Sequence, residues 1–295
     1  MRIFPQPLSN NEKGTYDMVL DYSEYIIESG LTGVVNYRRQ ENNTHLFKHR
    51  SVCPFCRIEI KNSIYFKTKH GPEWLFSGSF FESERVLQCP NCGWWEYSYE
   101  NSSDSIDEGV RANEIKYASA ILRAYNDNSM DIPITELRKY LEKKPDLLYS
   151  INPHKLEEVV RSVFKDFYPS CEVKTFGQTR DGGRDGLIIM DDGSHHLLQV
   201  KRRTHRNHTE GISQLRELIG ASVIEDNLSG CIYVTTAAHF SDDAQKYAQQ
   251  VVSKKVVETF DLINYSEFLH MMELTKDHLP NKWRELLSIK DNKFK

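Results

Sequence analysis

The chain has 295 residues, 39% of them hydrophobic and 27% charged, with a net charge of −4. This composition is globular, which excludes a disordered chain and a protein that is basic throughout, but a local cluster of Lys and Arg could still bind nucleic acid. No stretch reaches the roughly 18 apolar residues of a membrane span and the N-terminus lacks the apolar core of a signal peptide, so no membrane partner is expected and the cytoplasm is the expected setting.

Residues 1–128 read as a β-rich domain, with short aromatic runs such as SIYF, WLFSGSFF and WWEYSY. Within it, Cys53-Pro-Phe-Cys56 and Cys89-Pro-Asn-Cys92-Gly form two CxxC pairs separated by 32 residues. Each pair turns back so that two thiolates face one ion, and two pairs complete a tetrahedral Zn²⁺ site. Six cysteines in a reducing compartment favour metal over disulfides. Four thiolates leave no open position for substrate, so the zinc is expected to be structural and the domain a zinc ribbon. His45 and His49 precede Cys53, but the quartet is complete without them. Trp74, Trp94 and Trp95 can either stack on a base or bury against the knuckles, and burial is the expectation. The stretch VRANEIKYASAILRAY fits a strand pair or a helix equally well.

Residues 129–149 read as a helical linker, with Pro133 in the first turn of ITELRKYLEKK and Pro145 ending it. Residues 150–295 read as the second domain. Asn152 and Pro153 open a helix whose apolar stripe is Leu156, Val159, Val160, Val163 and Phe164. Three β-rich runs follow, CEVKTF, GLIIM and HLLQVKR. After them come a helix at ISQLRELIGASVI, a strand at CIYVTT, a helix opened by Ser241 and Asp242, a strand at VVETFD and a helix near YSEFLHMM. This order implies an α/β fold, a mixed central sheet flanked by helices. Cys171 and Cys231 stand alone in β-rich runs and read as core.

Side chains alternate along HLLQVK, so Gln199 and Lys201 share one face. A lysine ending an apolar strand needs an anionic partner, and Asp185, at the start of the preceding strand, can supply it. The glycines at 182 and 183 would let the chain kink there, and Glu157 could enter from the helix. Such a set is the layout of a Mg²⁺-dependent phosphodiesterase. Taken alone, it fits a surface salt bridge between Asp185 and Lys201 equally well.

On INPHKLEEVV, TRDGGRDG, LLQVKRR, the helix with ELIGA, IYVTTAAHFSDDAQKYA and FDLINYSEFL, taken in that order, residues 150–270 resemble the Mrr-type restriction endonuclease family of the PD-(D/E)xK nuclease superfamily. The resemblance implies a restriction-endonuclease-like fold and a DNA endonuclease using Mg²⁺ or Mn²⁺. It makes Asp185 the metal-binding aspartate, Gln199 and Lys201 the QxK pair and Glu157 the helical acid, with Glu158 as the other candidate. Asp181 also matches the family pattern. Arg184 and Leu156 stand where the family often has an apolar residue and Phe. Gln199 in place of Glu implies one metal, held by Asp185, the Val200 carbonyl, waters and Glu157. The resemblance also implies a role in restriction or anti-phage defence.

The tract KRRTHRNH follows the site. Its Arg202, Arg203 and Arg206 either line a groove for the nucleic-acid backbone or form a solvated loop. Arg180 and Arg184 flank the glycine turn and are placed for phosphate, with Gln214 and Arg216 as weaker contacts. Cutting both strands takes two active sites, so a homodimer is the implied assembly, with a defence-system protein as a further partner. The alternative functions are a non-catalytic DNA-binding or assembly subunit that retains the fold, and a nuclease acting on RNA or branched DNA.

Overall fold

A computed structural model of the protein describes residues 18–32, 52–70, 80–105, 110–175, 184–223, 225, 227–279 and 281–289. The chain divides into two compact units, Met1–Tyr125 with Pro280–Lys295, and Asn126–Leu279.

The first unit holds β1 (Met18–Asp21), β2 (Tyr25–Thr32), β3 (Ser63–His70), β4 (Phe80–Gln88), β5 (Trp95–Ser105) and β6 (Val110–Ala120), followed by β7 (Arg123–Asn126) at its boundary. Strands β2 to β6 form an antiparallel sheet in the order β2-β6-β5-β4-β3, and β1 pairs with β7. The ambiguous stretch is therefore strand. Its backbone pairs with β5 from Val110 to Ser119. Trp94 and Trp95 are both buried, and their indole N–H groups donate to the carbonyls of Ala120 (3.0 Å) and Tyr22 (3.1 Å). Trp74, His45 and His49 lie outside the described residues.

The last segment clusters with the first unit. Trp283 and Ile289 lie in its aromatic core, and Lys67 Nζ donates to the Ile289 carbonyl at 3.1 Å. Burying a tryptophan removes a large apolar area from water, enough to decide where a short terminal segment packs.

The second unit runs α1 (Ile134–Lys143), α2 (Pro153–Phe167), β8 (Glu172–Lys174), β9 (Gly186–Ile189), β10 (His195–Lys201), β11 (Thr209–Glu210), α3 (Ile212–Ser222), β12 (Leu228–Thr235), β13 (His239–Phe240), α4 (Asp242–Ser253), β14 (Thr259–Ile263) and α5 (Tyr265–Leu274). Its central sheet has the order β14-β12-β10-β9-β8. Strands β10, β12 and β14 are parallel, whereas β8 and β9 run antiparallel to their neighbours. Helices α2 and α5 pack on one face with α1 behind them, and α3 and α4 pack on the other. This is the expected mixed sheet flanked by helices.

The helix signals act where the sequence places them. The Asn152 side chain accepts the His154 N–H at 2.9 Å, Pro153 occupies the first turn, and the α2 stripe from Leu156 to Phe164 is buried. Ser241 caps α4, and Asn264 with Glu267 forms a capping box on α5. Cys171 and Cys231 are buried core residues. No described helix is long and apolar enough to cross a membrane.

Candidate active site and cysteine cluster

Cys53, Cys56, Cys89 and Cys92 converge, with all four sulfurs within 4.8 Å of one another. A Zn–S bond of about 2.3 Å gives a tetrahedral S···S edge of about 3.8 Å, and Cys53 Sγ lies 3.6 Å from Cys92 Sγ. The two turns have one construction. Arg57 N–H donates to the Cys53 carbonyl (3.0 Å) with Arg57 at φ 60°, and Gly93 N–H donates to the Cys89 carbonyl (3.0 Å) with Gly93 at φ 86°. Glycine takes that conformation without cost, but Arg57 does not.

Backbone N–H groups are aimed at sulfur, as in the Cys56 N–H donation to Cys53 Sγ at 3.4 Å. Hydrogen bonds from Cys53 and Cys92 hold the Cys89 thiol far below its ordinary range, and hydrogen bonds with Cys53 and Cys89 push Cys92 far above its own. Four thiols sharing protons in this way are a donor set suited to a soft, tetrahedral divalent cation.

In the second unit, β9 and β10 pair from the Ile189–His195 rung to the Gly186–Leu198 rung and then diverge. Asp185 sits at this fork. Its N–H donates to the Leu198 carbonyl (2.9 Å), and its Oδ2 accepts the Val200 N–H at 2.6 Å. The N–H and C=O of a strand residue point the same way, so the Val200 carbonyl lies on the edge that faces the Asp185 carboxylate. A carboxylate accepts several bonds at once, so this anchor leaves capacity for a cation.

Gln199, on the next rung, is buried, and its Oε1 has no hydrogen-bond partner among the described residues. Such an orphaned acceptor is costly unless something fills the position. Lys201 shares its face by strand alternation and is half-buried, and its ammonium has no ion-pair partner among the described residues. The Asp185 carboxylate, the Val200 carbonyl and the buried Gln199 oxygen are the kind of donors a hard divalent cation takes.

Glu157 reaches the fork through Arg161. Its Oε2 lies 3.8 Å from Arg161 Nη1, which donates to the Asp185 carbonyl at 3.1 Å. Glu158 is engaged elsewhere, 2.8 Å from Nζ of the buried Lys155, which also donates to the Ile132 carbonyl at 3.1 Å.

The basic residues have separate fates. Arg180, Asp181 and the glycines at 182 and 183 lie outside the described residues. Arg184 is ion-paired with Glu225. Arg202 donates to the carbonyls of Ser150 (3.0 Å) and Ile151 (2.9 Å). Arg203 is ion-paired with the buried Glu210. Arg206 keeps 67% of its side chain exposed, beside Asp146 and over the Tyr149 ring. Gln214 accepts from Ser213, and Arg216 lies over the Tyr247 ring. Glu210 is not marked by the sequence. A lone Glu in HTEG carries no local signal, and its burial follows from the pairing of β11 with β13.

Residues 148–272 match the family model Mrr_cat, restriction endonuclease. This region is a restriction endonuclease domain of the Mrr_cat family. Two solved structures, titled as the restriction endonuclease FokI with and without DNA, align at 13% and 14% identity. They cover 53% and 52% of this chain, which spans 29% and 30% of theirs, each with a TM-score of 0.34. That overlap is too loose to carry an argument. No curated protein matches the chain.

Proposed function

We propose that the protein is a divalent-metal-dependent DNA endonuclease whose active site is the β9/β10 fork. The observation that carries this reading is the Asp185 carboxylate anchored on the Val200 N–H, one rung from the buried, unpartnered Gln199 Oε1. Asp185, the Val200 carbonyl and Glu157 would hold one Mg²⁺ or Mn²⁺. That ion would polarise the scissile phosphate and lower the pKa of a bound water.

The protein's own groups do the rest. Val200 N–H orients the Asp185 carboxylate, and Arg161 ties Glu157 to the same backbone. Gln199 offers a buried acceptor to a metal-bound water. Lys201 places an ammonium where negative charge develops on the phosphate. Arg206 supplies charge for the DNA backbone, and Arg180 is the phosphate contact proposed from the sequence.

In the first unit, the four cysteines hold a structural Zn²⁺ in a zinc-ribbon domain that aids recognition or assembly. We place the protein in a reducing cytoplasm and in restriction or anti-phage defence, on the strength of the family match. It would act as a homodimer, because duplex cleavage takes two such sites, and alongside a defence-system protein.

The test is a cleavage panel of duplex, methylated, single-stranded and branched DNA and of RNA, with Mg²⁺, Mn²⁺ or EDTA. Metal-dependent cutting of duplex DNA is expected. Asp185→Ala should bring it below detection, and Lys201→Ala should slow it by about 10²–10³-fold. Full activity in either variant overturns the site. Binding of DNA with no cutting under any metal would favour the non-catalytic subunit.

A further inference from the structure

We infer that Arg203 and Glu210 form a latch that positions Lys201, an inference that rests on the fork being the active site. Glu210 is 0% exposed, and a carboxylate that deep needs strong partners. Arg203 provides them in a forked geometry, with Nε donating to Oε2 at 2.9 Å and Nη2 donating to Oε1. Thr235 Oγ1 lies 3.0 Å from the same Glu210 Oε2 and 3.2 Å from the Lys201 carbonyl, and it accepts the Ala237 N–H at 3.1 Å. Thr236 N–H donates to the Lys201 carbonyl at 3.1 Å. The Thr236 hydroxyl in turn accepts the Arg203 N–H at 2.6 Å and donates to the Arg203 carbonyl at 3.0 Å. Among the described residues, the backbone of Lys201 and Arg203 is therefore bonded to Thr235 and Thr236, and Thr235 in turn to the buried ion pair.

This location needs a latch. Lys201↔Thr235 is the last rung of the β10–β12 ladder, and pairing of β10 with β9 has already stopped at Leu198. With no partner strand on the site side, β10 would be held from one edge only as it enters the site. A buried ion pair adds little net stability, because desolvation offsets its Coulomb attraction. What a planar guanidinium–carboxylate fork does fix is direction. Nor is Arg203 suited to be a DNA contact, since Glu210 neutralises it and only 21% of its side chain is exposed.

The test compares the full-length wild type with Arg203→Met/Glu210→Leu and with Arg203→Lys. The double variant removes both charges together and leaves no lone buried ion, so it should melt within a few degrees of wild type. It should bind duplex DNA in EDTA with the wild-type Kd. Its single-turnover cleavage should fall by about 10²-fold, the scale expected for a misplacement of about 1 Å. Arg203→Lys keeps the cation but loses the fork, and should cut at least about tenfold more slowly at unchanged Kd. It decides the matter should the double variant melt early.

Wild-type cutting by a folded double variant, or by Arg203→Lys, overturns the inference. A loss confined to Kd overturns it too, by making Arg203 a DNA contact. Lys201→Ala run alongside separates the two readings. If it cuts at the wild-type rate, the fork assignment fails and the latch with it. If it is crippled while the latch variants cut normally, only the latch fails.

Discussion

The cysteine cluster and the strand fork hold their side chains in different ways. Each half of the cluster is a tight turn complete within five residues, closed by one backbone hydrogen bond and one left-handed residue, Arg57 or Gly93. The fork gathers Asp185, Gln199, Lys201 and Glu157 from β10, the entry to β9, and α2. It holds them through a divergence of strands and a relay through Arg161. Turn chemistry builds the first, and tertiary packing builds the second. A site of the first kind depends on its ligand for order, whereas one of the second kind depends on the surrounding protein.

The largest test of that contrast is removal of zinc. Elemental analysis should find one zinc per chain. A chelator, or Cys89→Ser, should collapse the packing of Trp94 and Trp95, read as loss of their near-UV circular dichroism. Structural zinc sites carry an apparent free energy of about 10–16 kcal/mol in small domains, far more than the turns alone supply. A zinc-free chain with an unchanged tryptophan signal would break the comparison.

No single residue of the second unit should matter as much, and Arg138 sets the upper end. It is 2% exposed and joins α1 to α2 and α5, donating to Ser162 Oγ (2.9 Å), Asp166 Oδ2 (2.5 Å) and Thr275 Oγ1 (2.9 Å). Arg138→Met leaves Asp166 without its partner, and a broken buried pair costs about 3–5 kcal/mol. Asp166 is 27% exposed, so solvent screening places the expectation at the low end. The denaturant midpoint should fall with the m-value unchanged. A shift below about 1 kcal/mol would show that the helices need no polar tie.

Legibility in the sequence follows the same divide. The CxxC turns, the Asn152 and Ser241 caps and the α2 stripe are local patterns, and their geometry follows from neighbours within one or two turns. VRANEIKYASAILRAY could not be read, because its alternation suits either element and only the partner β5 decides. The basic tract was legible as charge but not as contacts. Nothing in KRRTHRNH shows that Arg203 meets a carboxylate seven residues on, because Glu210 is buried only by pairing with a strand near residue 240. The fork's residue types could be listed from the sequence, but the anchoring of Asp185 on Val200 and the orphaned Gln199 oxygen are facts of packing.

A double dissociation on α2 sharpens the account of the fork. Glu157→Gln removes the carboxylate that meets Arg161 beside Asp185 and should weaken Mn²⁺ affinity and cleavage by about 10–100-fold, with little change in melting temperature. Glu158→Gln takes a charge from the buried Lys155, whose ammonium keeps the Ile132 carbonyl. It should cost about 1 kcal/mol of stability and leave the rate unchanged. Isothermal titration with Mn²⁺, paired with thermal melts, separates the two. The reverse pattern would make Glu158 the helical acid.

The smallest effect belongs to the exposed end of the tract. Among the described residues, Arg206 is held by Asp146, itself 59% exposed, and by the Tyr149 ring, so its head can turn to a phosphate at little cost. Arg206→Ala should weaken duplex binding by a similar factor on every sequence and lower the slope of log K against log salt by about 0.9, the value of one phosphate contact. Binding isotherms in EDTA at several salt concentrations measure it. An unchanged slope would make the Arg206–Asp146 pair a structural feature of the surface. A slope that falls by one contact would instead place the DNA backbone beside Arg206 and the Tyr149 ring.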